Sequence, residues 1–448
     1  MPDMFGKPLS FKRKIIPEKW FRVIQPLYHY LLALFAVLWY WFPSRKIFVL
    51  AVTGTKGKTT TIELVNAILE EAGYKTALSS TLRFKIAGTE ERNLRKMTFP
   101  GRFFIQRFLR NAVREQCDYA IIQRFLRNAV REQCDYAIVE TTSEGARQFR
   151  HRFIDFDALL FTNLSTEHIE SHGSYEAYRD AKLSIVRAVA ASCKPRKIVI
   201  ANKDDREGGR FLSVPKINES IPFSLADGKP YTLEKDRIVF MFKGERIETK
   251  LSGEFNLYNL LAAATFADSQ HIGTNIIKRA LERFSGVPGR MQKIDAGQDF
   301  TVIVDYAHTP DSLEKVYKTY GLSRKICVLG AAGGGRDSWK RPVLGGIANT
   351  HCSDIILTDE DPYDDNPEAI IEDIAKGISH PIVKKILNRR EAIRHAISLA
   401  KTGDTIIITG KGTDPFIMRA NGSKEPWSDV SVAEEELKNA SKTTTIKQ

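Results

Sequence analysis

The stretch Val49–Thr61, with the sequence VLAVTGTKGKTTT, constrains the fold of this chain more than any other. The apolar residues from Ile47 to Val52 are typical of a buried parallel strand. The pattern then breaks at two glycines and resumes with helical period, and Gly73 stands where a C-cap glycine belongs. A strand, a glycine turn and a helix N-terminus together form an anion site, because backbone N–H groups and the positive end of the helix dipole face the ligand.

The polar residues of this turn favour a nucleoside triphosphate. Lys58 adds a positive charge, and the Thr59 hydroxyl is a ligand suited to Mg²⁺. The other predicted phosphate-loop residues are Gly54, Thr55, Lys56, Gly57 and Thr60. Val52 stands where a full Walker pattern has its first glycine, so the alternative is a tight turn that carries a solvated lysine.

Length and composition indicate a multidomain protein of the soluble globular type. A chain of 448 residues is too long for one core, and its hydrophobic content of 43% and charged content of 27% are ordinary. The five cysteines form neither a CxxC motif nor a Cys/His cluster. We therefore expect no structural zinc, no disulfide framework and a reducing compartment.

The N-terminal arm, residues 1–45, is basic and apolar. Eight of the 67 Lys and Arg residues lie in residues 1–46, where no nucleic-acid-binding motif accompanies them, so we expect no nucleic-acid partner. The run Leu27–Phe42 is apolar but shorter than the ~20 residues of a spanning helix. We predict a helical arm whose residues 7–46 contact an anionic membrane face peripherally, or a helix that docks on the protein's own body.

A perfect tandem copy interrupts the chain. Residues 105–121 are repeated letter for letter as residues 122–138, which indicates a recent duplication or an error in the sequence rather than a solenoid. Each copy reads as an amphipathic helix followed by the start of a strand. Only the second copy continues into Val139 and Glu140, so we expect it to supply the strand and the first copy to loop out or to extend the helix.

Strand and helix patterns alternate through the rest of the chain and predict an α/β protein. We expect a P-loop-type central domain with a mostly parallel sheet over residues 46–285, and a Rossmann-like α/β domain over 286–448. Residues 284–290, rich in Gly and Pro, are the predicted hinge, and residues 209–250 alternate as in a small antiparallel sheet.

Three further positions suggest the chemistry of the central domain. Glu140 ends a buried strand, and Glu167 and His168 lie in the loop after another, where ligands collect in α/β proteins. Lys182 falls on the apolar stripe of a predicted helix, and burial there would lower its pKa and make the neutral amine accessible. The alternative is a lysine that snorkels to solvent.

These residues and others in the same order resemble the Mur ligases, ATP-dependent amide-forming enzymes of peptidoglycan precursor synthesis, and most closely the tripeptide synthetases among them. The resemblance covers residues 46–435 and rests on GTKGKTTT at 54–61, ETTSEG at 140–145, FTNLSTEHIESHG at 161–173, YRDAK at 178–182, GEFNLYNLLAA at 253–263, GVPGRMQ at 286–292, DYAHTPDSL at 305–313, GGGRDSWKRP at 333–342, TDEDPYDDNP at 358–367 and GKGTDPF at 410–416.

The resemblance implies roles for individual positions. Lys58 would hold the ATP phosphates, Thr59 and Glu140 would ligate one Mg²⁺, and His168 would support a second with Lys182 carbamylated by CO₂. The positions implied for the nucleotide are Asn259, Arg290, Asp305 and His308. The positions implied for the substrates are Thr141, Thr142, Arg336, Lys340, Asp361, Lys411 and Asp414.

The implied activity is that of a cytoplasmic ligase that adds an amino acid to a muramyl peptide through an acyl phosphate. Tyr363 stands where diaminopimelate-adding members have arginine, so lysine or another amino acid is as plausible an acceptor as diaminopimelate. The family's N-terminal domain for the uridine nucleotide is not expected here. Alternatives are a ligase for a lipid-linked precursor, a folylpolyglutamate-type synthase, and a non-catalytic ATP-binding scaffold at a membrane.

Overall fold

A computed structural model describes residues 18–94, 101–113, 134–165, 172–321, 323–335, 338–379 and 383–445. The chain divides into two compact units. The first comprises Met1–Pro230, Phe240–Ile247 and Tyr258–Arg283, and the second comprises Tyr231–Val239, Glu248–Leu257 and Phe284–Gln448. The domain boundaries predicted at residues 45/46 and 285/286 stay predictions.

The first unit is built on one large sheet. Its strands are β1 Phe48–Thr53, β2 Thr76–Ser79, β3 Arg83–Ile86, β4 Thr89–Arg92, β5 Tyr136–Glu140, β6 Ala158–Phe161, β7 Ile198–Asn202 and β8 Glu219–Phe223. They are ordered β4-β3-β2-β5-β1-β6-β7-β8. The six neighbouring strands β2-β5-β1-β6-β7-β8 pair in parallel. At the β2 edge of the sheet, β3 and β4 are added in antiparallel pairing. The central strands are buried on both faces, which is why they read as continuous apolar runs.

The helices before residue 284 are α1 Glu18–Trp39, α2 Lys58–Glu71, α3 Arg102–Val113, α4 Ser143–Arg147, α5 Tyr175–Ala190, α6 Gly208–Leu212, α7 Glu254–Ser269 and α8 Thr274–Arg283, with short 3₁₀ turns at Pro43–Lys46 and Leu225–Gly228. Helix α1 packs on α3 and buries Ala33, Ala36 and Val37. The predicted docking of the arm on the protein's own body is therefore confirmed for this face of α1. None of the described helices has the length and hydropathy that crossing a bilayer requires.

The prediction for residues 209–250 was partly wrong. Strands β9 Tyr231–Leu233, β10 Ile238–Phe242 and β11 Glu245–Thr249 form the expected small sheet. The first strand of the stretch, β8, instead joins the large sheet in parallel with β7. Its alternating pattern arises because an edge strand has one half-exposed face, and not because it belongs to an antiparallel hairpin.

The two tandem copies lie in different secondary-structure elements. The first copy is not looped out over its first nine residues, because residues 105–113 lie in α3, where Ile105 and Leu109 are fully buried. The end of the second copy enters β5, as predicted. Residues 114–133 lie outside the described residues.

The second unit is a second α/β layer structure. Its strands are β12 Gln292–Ile294, β13 Thr301–Asp305, β14 Lys325–Leu329, β15 Asp354–Leu357, β16 Val383–Lys385 and β17 Thr405–Thr409, with a hairpin of β18 Phe416–Met418 and β19 Lys424–Pro426. The order β12-β13-β17-β14-β15-β16 is parallel except for β12. The helices are α9 Pro310–Thr319, α10 Lys340–His351, α11 Pro367–Ala375, α12 Arg389–Leu399 and α13 Asp429–Thr445, and a 3₁₀ turn lies at Ala420–Gly422.

One cysteine pair contradicts the expectation that the chain has no disulfide. Cys327 in β14 and Cys352 at the end of α10 are joined by a disulfide, and both are buried. The residues are 25 positions apart, and packing of α10 against the sheet brings them together. Spacing along the sequence carries no signal for such a contact.

Candidate active site

The turn between β1 and α2 has a backbone that requires glycine. Gly54 and Gly57 have φ values of 152° and 80°. A Cβ atom on Gly54 would lie 2.0 Å from the Thr162 hydroxyl oxygen, and one on Gly57 would lie 2.2 Å from the Asn259 amide oxygen. Gly57 is the N-cap of α2, and no side chain caps this helix end. The first N–H groups of α2 therefore face the position where a phosphate would bind.

Thr162 and Asn163, directly after β6, hold the loop in place, a role that was not predicted from the sequence. The Thr55 N–H donates to the Asn163 carbonyl at 2.8 Å, and the Lys56 N–H donates to the Asn163 side chain at 2.9 Å. The Thr162 hydroxyl donates to the Lys56 carbonyl at 2.7 Å. The sequence offers one signal for this role, which is that the polar residues Thr162 and Asn163 directly follow the buried strand β6.

Lys58 contacts the loop, and Asn259 contacts the first turn of α2 beside it. The Lys58 ammonium donates to the carbonyls of Gly54 and Thr55 at 3.1 and 2.9 Å. Asn259, predicted on the nucleotide side, lies with its amide oxygen 3.3 Å from the Thr61 hydroxyl. Thr60 lies in the first turn of α2 and is largely buried. Charge and amide groups thus collect at one helix N-terminus.

Glu140 is the carboxylate of the site. The Thr59 hydroxyl lies 3.2 Å from both of its oxygens, and Thr81 donates to one oxygen through its N–H at 2.8 Å and through its hydroxyl at 3.0 Å. Glu140 is 1% exposed, so these donors replace water around a buried carboxylate. Thr81, which lies two residues after the end of β2, was not predicted from the sequence.

The donor set fits a hard cation in part. Hydroxyl and carboxylate oxygens, as on Thr59 and Glu140, are ligands that Mg²⁺ prefers. Among the described residues, no group of three or more His, Cys, Asp or Glu side chains is arranged so that it could hold a metal ion. Glu167 and His168, predicted near a second ion, lie outside the described residues.

Lys182 reaches the same loop from α5. It is 2% exposed, and its ammonium donates to the Gly54 carbonyl at 2.6 Å and lies 4.9 Å from the centre of the Tyr178 ring. The Tyr178 hydroxyl in turn lies 3.0 Å from the Thr55 hydroxyl. The predicted burial of Lys182 is confirmed, and snorkelling to solvent is excluded.

Thr141 and Thr142 have structural contacts. The Thr141 hydroxyl donates to the Val52 carbonyl at 3.0 Å, which ties the end of β5 to β1. The Thr142 hydroxyl caps α4 by accepting from the Gly145 N–H at 3.1 Å. Their predicted part in substrate binding stays a prediction.

In the second unit, Asp305, His308 and Arg290 lie around Tyr306. The two Asp305 oxygens accept from the N–H groups of Met291 and Ala307, each at 2.7 Å. His308 Nδ1 lies 2.8 Å from the Tyr306 carbonyl, and the Arg290 guanidinium lies 4.4 Å from the centre of the Tyr306 ring. Burial raises the pKa of Tyr306 to about 12.

A buried charged cluster follows strands β15 and β17. The Lys411 ammonium is 2.8 Å from both Asp361 and Asp414. Burial by itself lowers the pKa of Lys411, but the two carboxylates raise it above its usual value. Burial raises the pKa of neighbouring Glu360, and one of its oxygens has no hydrogen-bond partner among the described residues. Two carboxylates thus flank the buried Lys411 ammonium, and a third carboxyl group, Glu360, lies nearby.

The remaining predicted substrate positions are only partly described. Lys340 begins α10 and is buried, whereas Arg336 lies outside the described residues. Tyr363, at the position of the expected arginine, has a φ of 54° and packs against Gly334.

Comparison with known proteins gives concordant matches over both units. The profile of the Mur ligase middle domain matches residues 52–267, and that of the Mur ligase glutamate ligase domain matches residues 289–412. The UDP-N-acetylmuramoyl-L-alanyl-D-glutamate–2,6-diaminopimelate ligase of Syntrophomonas wolfei is 38% identical, covering 91% of this chain and 81% of its own length. The UDP-N-acetylmuramyl-tripeptide synthetase of a Roseiflexus species is 35% identical with the same coverage. A solved structure of a UDP-N-acetylmuramoyl-L-alanyl-D-glutamate–2,6-diaminopimelate ligase has 26% identity and a TM-score of 0.59, over 88% of this chain and 79% of that one.

Proposed function

The chain belongs to the Mur ligase family, and we propose that it is an ATP-dependent, ADP-forming ligase that adds an amino acid to a muramyl-peptide precursor of the cell wall. The observation that carries this proposal is the convergence of Lys58, Lys182 and the Thr59–Glu140 pair on one glycine loop. A module that only binds ATP has no need for the second, buried lysine.

Residues of the first unit would hold the triphosphate and its metal. The loop N–H groups and Lys58 would bind the phosphates, and Thr59 and Glu140 would hold Mg²⁺, with His168 contributing to a second ion. Bound magnesium would offset the negative charge that develops on the phosphoryl oxygens. The backbone and hydroxyl of Thr81 would keep Glu140 in position.

Lys182 would act as a carbamate. In its neutral form the amine would form an N–C bond with CO₂ and release one proton to solvent, which replaces a positive group by a carboxylate. The end of the Lys182 side chain, which is now hydrogen-bonded to the Gly54 carbonyl, would then turn towards the metal site. The position of the lysine supports this proposal, because its side chain is buried and contacts the glycine loop beside the Thr59–Glu140 pair.

The reaction would proceed in two steps. A carboxylate of the muramyl peptide attacks the γ-phosphorus of ATP, and the bond to ADP breaks as the acyl phosphate forms. The amine of the incoming amino acid then attacks the acyl carbon, phosphate leaves as the amide bond forms, and the nitrogen releases one proton to solvent. Lys58 would stabilise charge on the transferred phosphoryl group, as preorganised cations do in such sites.

The amino acid would be recognised in the second unit. Asp361 and Asp414 flank Lys411, and a buried oxygen of neighbouring Glu360 has no hydrogen-bond partner among the described residues, which favours an acceptor that brings an ammonium group. Tyr363 cannot make the charged contact that an arginine would make to a second carboxylate. We therefore expect a basic amino acid such as lysine to be accepted at least as well as diaminopimelate.

The setting of the reaction is a separate proposal. We infer a cytoplasmic enzyme that works at the inner membrane face through peripheral contact by residues 7–46. A lipid-linked muramyl peptide is then an alternative acceptor to the uridine nucleotide.

A screen of amino acids for ADP release tests the activity. The assay contains ATP, Mg²⁺, the UDP-linked muramyl dipeptide and one amino acid at a time, and we expect ADP only when both substrates are present. Release with a folate and glutamate instead would indicate the folylpolyglutamate-type alternative. ATP binding without ADP release under any condition, lipid-linked acceptor included, would support the non-catalytic scaffold and refute the proposal.

A further inference from the structure

Helix α1 has two apolar faces, and only one of them is covered by the described chain. On the covered face Ala33, Ala36 and Val37 are at most 2% exposed. Tyr30 completes this contact, since its ring meets Phe149 and Phe153 edge-on with centroids 6.3 and 5.2 Å away. The helix is therefore held on the first unit in a defined rotation about its own axis.

The opposite face presents large apolar side chains to solvent. These side chains, each between 46% and 63% exposed, are Leu27, Tyr28, Leu31, Phe35, Leu38 and Trp39. At about 100° per residue they fall within roughly one third of the helix circumference and form one stripe. Trp41, directly after the helix, is 79% exposed. We call these seven residues the α1 stripe.

The α1 stripe is exceptional within this molecule. Of the fourteen exposed large apolar residues among those described, seven form the stripe, one is Tyr30 on the covered face, and the other six lie elsewhere in groups of at most two. Scattered apolar residues on a surface need no explanation, but a contiguous patch marks an interaction site. The helix also lies outside the residues that match the two family profiles.

The charges around the α1 stripe identify the partner. Residues 27–46 and 101–113, which comprise α1 from Leu27 onwards, the following turn and α3, contain five Arg or Lys residues and no Asp or Glu. Lys46 is exposed, Arg45 is exposed although it pairs with Asp155, and the Arg110 guanidinium lies near the Tyr40 ring. A two-fold contact with a second copy would place this basic rim against itself. An anionic lipid surface would complement it.

We propose that the α1 stripe is a lipid-docking surface that lies flat in the headgroup region of an anionic bilayer, while the opposite face of α1 stays docked on α3. Tryptophan and tyrosine favour the membrane interface, and basic residues beside an apolar face add attraction to anionic lipid. This inference deepens the proposed membrane setting by naming the face and the lipid class.

Vesicle co-sedimentation of the full chain tests the proposal. We expect binding to vesicles of phosphatidylcholine with 30 mol% phosphatidylglycerol and at least tenfold weaker binding to phosphatidylcholine alone. The variant L31E/F35E/L38E should lose binding at least tenfold, and K46E should weaken it less. The matched control W339E/L387E also replaces exposed apolar residues, but away from the α1 stripe, and should bind as the parent does.

Several outcomes would overturn the proposal. They are no binding of the parent chain to anionic vesicles, equal binding by the triple variant, or a dimer in solution that the triple variant dissolves. Thermal unfolding of each variant in the absence of lipid shows whether it is folded, because exposed positions should leave the melting temperature unchanged. ADP release is measured without vesicles, and vesicle binding is measured without substrates. A protein that does not bind lipid can therefore be told apart from one that has no ligase activity.

Discussion

The ammonium of Lys182 donates a hydrogen bond of 2.6 Å to the carbonyl oxygen of Gly54, although the two residues are 128 positions apart. The contact joins the buried face of α5 to the glycine turn between β1 and α2. It places a buried amino group beside the proposed phosphate site.

Replacement of Lys182 tests the carbamate. We expect Lys182→Ala to reduce ADP release by about 10–100-fold, since removal of groups that support a metal site typically costs that much. Short-chain carboxylic acids should restore part of the rate, because they supply the missing carboxylate. Lys182→Arg keeps the charge but cannot be carbamylated, and it should stay inactive. Full activity of either variant would contradict the assignment.

Thr81 should influence the metal through Glu140. Thr81→Ala removes the 3.0 Å hydroxyl contact to the carboxylate but keeps the backbone N–H contact. We expect about a tenfold higher Mg²⁺ concentration for half-maximal ADP release. Thr81→Ser, which keeps the hydroxyl, should behave as the parent in the same Mg²⁺ titration. An unchanged titration curve for the alanine variant would remove Thr81 from the site.

Deletion of one tandem copy should preserve the protein. The copies are identical, so deleting residues 122–138 or 105–121 gives the same sequence. The remaining copy would supply both α3 and the start of β5, and the connection between them would shorten from 22 residues to five. Connections of two to six residues are ordinary between helices and strands. We expect soluble protein with an unchanged thermal unfolding temperature and ADP release, and insolubility would show that the second copy is needed.

Stability should fall in mild acid because two histidines are buried as neutral groups. Burial, with Arg152, lowers the pKa of His151 to about 4, and burial, with Arg102 and Arg150, lowers the pKa of His29 to about 4. The unfolded chain takes up these protons near pH 6.5, whereas the folded chain does so only near pH 4. Their contribution is therefore complete above pH 6.5 and is lost as the pH falls towards 4.

Urea unfolding at several pH values measures this effect. His151→Gln should flatten the dependence of the free energy of unfolding on pH between 6.5 and 4, whatever its effect at neutral pH. A slope identical to that of the parent would mean that His151 does not titrate in this range.

The buried pair of Arg389 and Asp429 should dominate the stability of the second unit. Two hydrogen bonds of 2.7 Å join them, and neither side chain is more than 1% exposed. Asp429→Ala leaves an unpaired buried guanidinium and should cost about 3–5 kcal/mol. Arg394→Ala is the control, because Arg394 is 59% exposed where it pairs with Glu436, and should cost at most about 1 kcal/mol.

Trp427 offers a probe for this measurement. Its indole N–H donates to Asp429 at 2.8 Å, so its fluorescence should report unfolding near the pair. Equal losses in the two variants would contradict a special role for the buried pair.

The sequence by itself determined the local elements and the residues at their ends. Hydrophobic period and turn chemistry act within a few residues. They predicted the strand, glycine turn and helix at Val49–Thr61, the carboxylate at the end of β5 and the burial of Lys182. The family resemblance came from the same local motifs. The expectation of no disulfide and that of an antiparallel strand at β8 failed, because both depend on which elements become neighbours.

Only the tertiary structure decided which groups meet. The contact of Lys182 with Gly54, the support of Glu140 by Thr81 and the hold of Asn163 on the loop join residues from different strand ends. The tertiary structure also separated the covered face of α1 from its exposed stripe. A single sequence fixes the period of each element, but the packing of sheets and helices sets the distances between them, and those distances depend on the summed contacts of the whole core.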